Sequence, residues 1–303
     1  MSVTQARPAL RPAAPSITAR ISVVALAIGI VGAILAGPAA AAETPVGDDA
    51  IAAQRAALAA ATDGAGFGPQ SPRDLGNPTG RNERVFETAP AHTEMNLCNI
   101  HFHDAAEHRG GNFTTFVGNG DGAGNGTGFR YDGALTEAEL APIDTPIGAG
   151  PHGDLTPGDT LEVHFVHSTA QVGPGPTLGA CLNEAIANPQ LRVETQVIVL
   201  VSDPTAADFV DLAATQVIDG VHQAPNIPTA TGTPIAYAGS TTGPSYNQIG
   251  SPFQVSWSVR PQVLKVDIQS VGAWLSDNPF DETAAHGVRN LVVNPELLSP
   301  FDN

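Results

Sequence analysis

Read for its alternation of apolar and polar positions, the chain divides into short extended segments separated by turns. Asn96–His103 (NLCNIHFH) sets Leu97, Asn99, His101 and His103 on one face against Cys98, Ile100 and Phe102, the period of two that marks a strand. Thr160–Ser168 (TLEVHFVHS) sets Glu162, His164 and Val166 against Val163, Phe165 and His167. Leu191–Val201 (LRVETQVIVLV) is rich in β-branched residues, as a central strand is. Phe253–Val259 puts Phe253, Val255, Trp257 and Val259 together, and Val263–Val271 reads as one more strand after the Arg260-Pro261 break. Helical pattern is confined to Asp48–Ala61, an Ala-rich run with acids at its start, and to the region around Ala206–Val217. Asp63–Arg81, rich in Gly, Pro and Asn, reads as linker. No repeat is present. The expected organisation is an N-terminal helix and linker over residues 43–84, then one β-rich domain over 85–303.

Composition agrees with that reading. Gly (32) and Pro (26) make up about a fifth of the 303 residues, below the roughly 25–30% of low-complexity disorder. Helix interiors tolerate neither residue well, whereas short strands joined by turns need them. Thirteen Lys and Arg against 30 Asp and Glu give a net charge of −17. A field of that sign repels phosphate backbones and anionic lipid, which argues against nucleic acid and against electrostatic membrane binding. The composition carries no signal for oligomeric state.

Three Arg (Arg7, Arg11, Arg20) precede the uncharged apolar run Ile21–Gly37 and the small-residue stretch Pro38–Ala42. That is the order of an export signal, with cleavage expected after Ala42, so residues 1–42 are expected to be absent from the mature chain. An uncleaved anchor is the alternative, but the run is slightly short of the 20 or so residues of a span. The expected location is periplasmic or secreted, with no membrane span in the mature chain. Cys98 and Cys181 suit an oxidising compartment and one disulfide, the alternative being two free buried thiols.

The chemistry is carried by histidines. In a strand, residues i and i+2 point the same way, so His101 and His103 direct ring nitrogens at one place. His164, mid-strand and two residues after an acid on its own face, supplies a third. Three neutral imidazoles around Zn²⁺ leave one tetrahedral position open, as in catalytic rather than structural zinc sites. Glu162 and Asn99 are placed to accept the outer N–H of His164 and His101. For each ring the plainer alternative is a hydrogen-bonded core histidine. His167 competes for the third position but shares a face with Val163 and Phe165, and reads as packed.

HFHDAAEH (His101–His108), LEVHFVHS (Leu161–Ser168), YAGSTTGP (Tyr237–Pro244) and Val255-Ser256-Trp257 resemble the active-site segments of alpha-class carbonic anhydrases. The chain as a whole most resembles the delta class, through CNIHFHDAAEHRGG, GPTLGACL, NPQLRVETQV, AYAGSTTGPSYN and HGVRNLVVNPELL, over about residues 95–298. The resemblance implies a mostly β fold, α+β at the margins, with few short helices. Its core would be a large, twisted, mainly antiparallel central sheet with the metal at the bottom of a cleft. It implies reversible hydration of carbon dioxide to bicarbonate by attack of zinc-bound hydroxide. His101, His103 and His164 would be the zinc ligands, Glu107 and Thr242 would orient the nucleophile, and His108 would be structural. Val166, Val255 and Trp257 would floor the CO₂ pocket. Thr241 stands where the alpha class has Leu, and Gly243 replaces a second Thr. The Glu107 spacing from the second ligand is shorter than in the alpha class, so a different loop must deliver it.

A proton must leave such a site, and His92, His152, His222 and His286 are candidate shuttles. Gly118–Gly128 (GNGDGAGNGTG) has the flavour of a calcium loop but neither known spacing, and reads as a flexible loop. Asn112-Phe113-Thr114 and Asn125-Gly126-Thr127 are glycosylation sequons. Two rival functions fit an exported β-protein with an HxH pair: a periplasmic Cu/Zn redox protein of the dismutase kind, which needs further His or Asp ligands, and a non-catalytic metal-binding protein.

Overall fold

The long strand Leu191–Val201 organises everything around it. A computed structural model describes residues 44–301; the expected export signal lies outside the described residues. In chain order the elements are α1 (Asp48–Thr62), β1 (Asn96–Asp104), the hairpins β2–β3 (Thr115–Asn119, Thr127–Arg130) and β4–β5 (Ile147–Gly150, Gly153–Leu155), β6 (Thr160–Ser168), β7 (Leu191–Val201), α2 (Phe209–Leu212), the hairpin β8–β9 (Gln216–Ile218, Val221–Gln223), β10 (Ile235–Ser240), β11 (Gln254–Val259), β12 (Leu264–Asp267) and α3 (Ile268–Ser276). The main sheet runs β1-β6-β7-β11-β10, with β12 also on β7. β6 pairs with β7 along its whole length, while β11 and β12 share the other edge of β7 in succession. Pro261, which has no N–H for the ladder, falls in the gap between them. Three pairings are antiparallel and two parallel, so the sheet is mixed. No helix among the described residues is long and apolar enough to cross a membrane.

The register decides which side chains meet. His101 lies opposite His164, His103 opposite Glu162 and Asn99 opposite Val166, and directly opposed residues share a face. The other face carries Ile100, Phe102, Val163 and Phe165, which pack with Trp274 and Val271 of α3. Simple alternation along β1 fails at one point. A bulge at Cys98 inserts an extra residue between the Leu97 and Asn99 pairs, which reverses the phase of the strand before it. Leu97 therefore joins the Phe102 side and Cys98 joins the Val166 side, where it is bonded to Cys181.

Three expectations need correction. The helix expected around Ala206–Val217 is only Phe209–Leu212, capped by Asp208, whose Oδ1 accepts from the Val210 and Asp211 amides. Gln216–Ile218 turns instead into a hairpin through Asp219-Gly220, both at positive φ, the pair that two-residue hairpin turns favour. Val263–Val271 is not one strand. Asp267 accepts from the Gln269 amide and starts α3, so Ile268, Val271, Trp274 and Leu275 are buried at helical spacing. Residues 63–81 are not free linker either. Gln70, Ser71 and Arg73 are buried, and Gln70 exchanges bonds with the Ser251 backbone in both directions. The Gly-rich loop closes on itself: Asp121 Oδ1 accepts from the amides of Ala123, Gly124 and Asn125, and its Oδ2 from the Asn125 side chain.

Trp274 lies with its ring 5.1 Å from Phe209, 5.8 Å from Phe102 and 6.1 Å from Phe280. Replacing it with Ala opens a cavity where the helix meets the sheet. Trp274→Ala is expected to cost about 3–5 kcal/mol, read as the loss in unfolding free energy in urea.

Candidate metal centre

Three imidazoles converge on the cavity-facing side of β1 and β6. The His101 Nε2 and His164 Nδ1 atoms are 3.3 Å apart, and one ring nitrogen from each of His101, His103 and His164 falls within 4.8 Å of the others. Tetrahedral bonds of about 2.0–2.1 Å require separations of about 3.3 Å. His103 and His164 are buried and His101 is half-buried.

Hydrogen bonding settles which nitrogens are free. His101 Nδ1 donates to Asn99 Oδ1 at 2.6 Å, His103 Nδ1 to the Gly287 carbonyl at 2.7 Å, and His164 Nε2 to Glu162 Oε1 at 2.8 Å. Each partner can only accept, so each outer nitrogen must carry the proton. The lone pairs left are those of His101 Nε2, His103 Nε2 and His164 Nδ1. His103 Nε2 is buried with no partner of any kind, an orphan that a bound divalent cation would satisfy. Burial, then the neighbouring His164, His103 and His286 rings, holds His101 well below its ordinary value; burial lowers His103 as well. For His101 and His103 the depression favours the neutral form that ligation requires.

Behind the rings lies a buried polar chain. Burial alone would raise the Glu162 carboxyl, but His108 and His164 together hold it well below the usual range. It accepts from the His108 amide, from His108 Nδ1 at 2.7 Å and from His164. With Nδ1 protonated, His108 Nε2 accepts from the Tyr237 hydroxyl at 2.6 Å. Immediately after β1, Ala105 sits at φ 72° and turns the chain so that Glu107 returns behind His103, its Oε1 3.6 Å from His103 Nδ1. Glu107 Oε1 accepts from the Arg289 amide at 2.8 Å, and its Oε2 is buried without a partner.

The rings open onto a cavity of about 430 Å³ walled by Val166, Val193 and Trp257 and bordered by Thr241, Thr242 and Leu178. Val255 is fully buried, outside the residues that line this cavity. The Thr241 hydroxyl pairs with Ser251 Oγ at 2.9 Å. Thr242 is half-buried on the cavity wall, and Glu107 lies outside that wall. With Glu107 Oε2 unpartnered, the structure does not join these two side chains by a hydrogen bond. Of the candidate shuttles, His286 lines the cavity, its ring 5.3 Å from that of His101 and its Nε2 bonded to Glu282. His92 lies against His167 on the other face, His152 in the β4–β5 turn and His222 on β9. Val193, Gly287 and Arg289 had no signal in a local pattern, since each meets the site only through the fold.

The family model of delta carbonic anhydrase matches residues 92–270, more than half of the chain. The chain belongs to the delta carbonic anhydrase family. No curated protein sequence matches it. Among solved structures, an alpha-carbonic anhydrase from Photobacterium profundum is 17% identical, over 74% of this chain and 84% of that one, with a TM-score of 0.27. A carbonic anhydrase from Chlamydomonas reinhardtii is 15% identical, over 74% and 87%, with a TM-score of 0.24. The family assignment stands on the sequence match. As a delta carbonic anhydrase the chain is an enzyme, and its His-rich centre is suited to a metal. Among the described residues one other group has metal-binding proximity, Glu107, Glu162 and His164. It shares His164 with the first and adds no further histidine of the kind a dismutase copper site needs.

His167 takes no part in the centre. It is buried on the opposite face, its Nδ1 donating to the Phe165 carbonyl. Burial first, then nearby His92, pushes it down to about 3, with Glu194 opposing and Arg192 adding to the depression. The unfolded chain takes up this proton near pH 6.5 and the folded chain only near 3, so acidification through that window favours unfolding. Between pH 7 and pH 4 the wild type should lose about 3 kcal/mol more unfolding free energy than His167→Gln, by denaturant titration at both pH values.

Proposed function

We propose that this chain catalyses the reversible hydration of carbon dioxide to bicarbonate and a proton, with Zn²⁺ held by His101 Nε2, His103 Nε2 and His164 Nδ1. One observation carries the reading: three imidazoles whose outer nitrogens each meet an acceptor bring their inner nitrogens within 4.8 Å of one another at the wall of an apolar cavity. Zinc, when bound, is a Lewis acid that brings a coordinated water into the neutral pH range, the behaviour for which carbonic anhydrases are the standard example.

The remaining work belongs to the protein. Neutral ligands leave the ion its full charge, which thiolates would blunt. Val166, Val193 and Trp257 offer the uncharged substrate a dry wall beside the nucleophile. Glu107, buried, has one oxygen taken by the Arg289 amide and the other without a partner. In this reading the Thr242 hydroxyl donates to that free oxygen and must then accept from the nucleophile, which turns the nucleophile's lone pair toward the carbon. The Cys98–Cys181 disulfide and the signal-like N-terminus support the same enzyme working outside the cytoplasm.

Stopped-flow CO₂ hydration tests the proposal. Zinc-loaded wild type should turn over, His101→Ala should lose both metal and turnover, and Thr242→Ala should keep its zinc while losing roughly 100-fold in kcat. Wild type no faster than His101→Ala would end the reading.

A further inference from the structure

The family match stops at residue 270, yet two groups that orient the site lie beyond it: the Gly287 carbonyl on His103 and the Arg289 amide on Glu107. Both sit on residues 286–290, which belong to no helix or ladder of the main sheet. That segment is hung from its surroundings by a short set of bonds. The Asp104 amide donates to the His286 carbonyl and the His286 amide to the Phe102 carbonyl, each at 2.9 Å, an isolated bridge that sets His286 beside His103. The Val288 amide donates to the Gly124 carbonyl at 2.7 Å. A Cβ at Gly124 would come within 2.7 Å of the Val288 carbonyl, so the Gly-rich loop is shaped for this approach. The Asn290 amide donates to Asn247 Oδ1 at 2.8 Å, its side chain to Gln54 Oε1 at 2.5 Å, and Gln54 Nε2 to the Gly122 carbonyl at 2.7 Å.

Glu107 follows β1 and Thr242 follows β10, strands at opposite ends of the sheet order. No ladder pairing sets the distance between them, so something else must. We propose that Asn247 is a positioning residue for catalysis. Its side chain ties the loop bearing Thr241 and Thr242 to the segment that orients His103 and Glu107, while Gln54 of α1 clamps that segment a second time. Asn247 is 2% exposed and its Nδ2 has no partner. The unpaired NH₂ costs its desolvation without return, and the bond that the Asn247 side chain makes is the one its Oδ1 accepts from the Asn290 amide. The N-terminal helix is thereby part of the catalytic scaffold, not an appendage to it. The inference rests on the proposed roles of Glu107 and Thr242.

The test compares full-length mature wild type, Asn247→Ala, Asn247→Asp and Gln54→Ala for zinc affinity by chelator competition, and for kcat and KM separately. Asn247→Ala should bind zinc about tenfold more weakly and lose about tenfold in kcat at unchanged KM. Asn247→Asp, which keeps an acceptor oxygen in place, should recover both to within about threefold. Gln54→Ala, at a half-exposed helix position where folding is not at risk, should shift both in the same direction by a smaller factor. A role confined to stability predicts instead a lower melting temperature with zinc affinity and kcat untouched. Zinc affinities of Asn247→Ala and Gln54→Ala within about twofold of wild type would overturn the proposal. Wild type that binds zinc but hydrates no CO₂ would sink the proposed function alone, and the affinities would then decide the positioning role.

Discussion

The site depends on keeping one nitrogen of each of three imidazoles out of the protein's own hydrogen-bond network. A histidine packed into a core ordinarily satisfies both nitrogens. Here each outer nitrogen meets an acceptor that cannot donate, and each inner nitrogen meets nothing except its fellows. Burial removes the alternative of protonation, because a charged ring would have to be desolvated beside two others. The cluster is therefore crowded and unsatisfied, a condition that a divalent cation relieves.

That condition is costly to hold, and the surrounding fold is arranged to hold it. Glu162 is an ionised carboxylate with no exposure. It survives because His108 gives it two donors and His164 a third, and because Tyr237 fixes the His108 tautomer in turn. On the side away from β6, Trp257 stacks in parallel with Tyr237 at 6.2 Å while its edge meets His164 and His108. The apolar cavity wall and the polar support chain are thus one packed unit. Removing a member disturbs both the dry surface and the placement of the three imidazoles.

The disulfide plays a comparable part at the rim. The bulge at Cys98 turns its sulfur toward the cavity side of the sheet, where Cys181 closes the short turn that carries Leu178 and Gly179 to the cavity edge. Closing 83 positions of chain is worth about 4–5 kcal/mol on the loop-entropy account. The same bond that stabilises the domain therefore also pins a piece of the cavity mouth to the strand that carries His101 and His103.

Local pattern was enough to read which three histidines gather and two of the three acceptors behind them. Asn99 with His101, and Glu162 with His164, are i, i+2 pairs on single strands, and the pleat alone puts such pairs on one face. It was equally enough for β7 and for α1, where composition and period agree over many residues. It failed where a single residue changes the geometry: the extra Cys98, the cap at Asp267, the turn at Asp219-Gly220. Each converts one period into another without altering the run of apolar residues. What the amino-acid order could not contain was the third acceptor, the Gly287 carbonyl 184 positions from His103, together with the Arg289 amide on Glu107 and the Val193 wall. Backbone groups carry no residue identity to recognise, and contacts between distant segments arise only when the sheet order and its cross-ties bring them together. The order of residues settled which rings gather and which acceptors hold His101 and His164; the fold alone supplied the acceptor for His103, because that group is a backbone carbonyl from a distant segment.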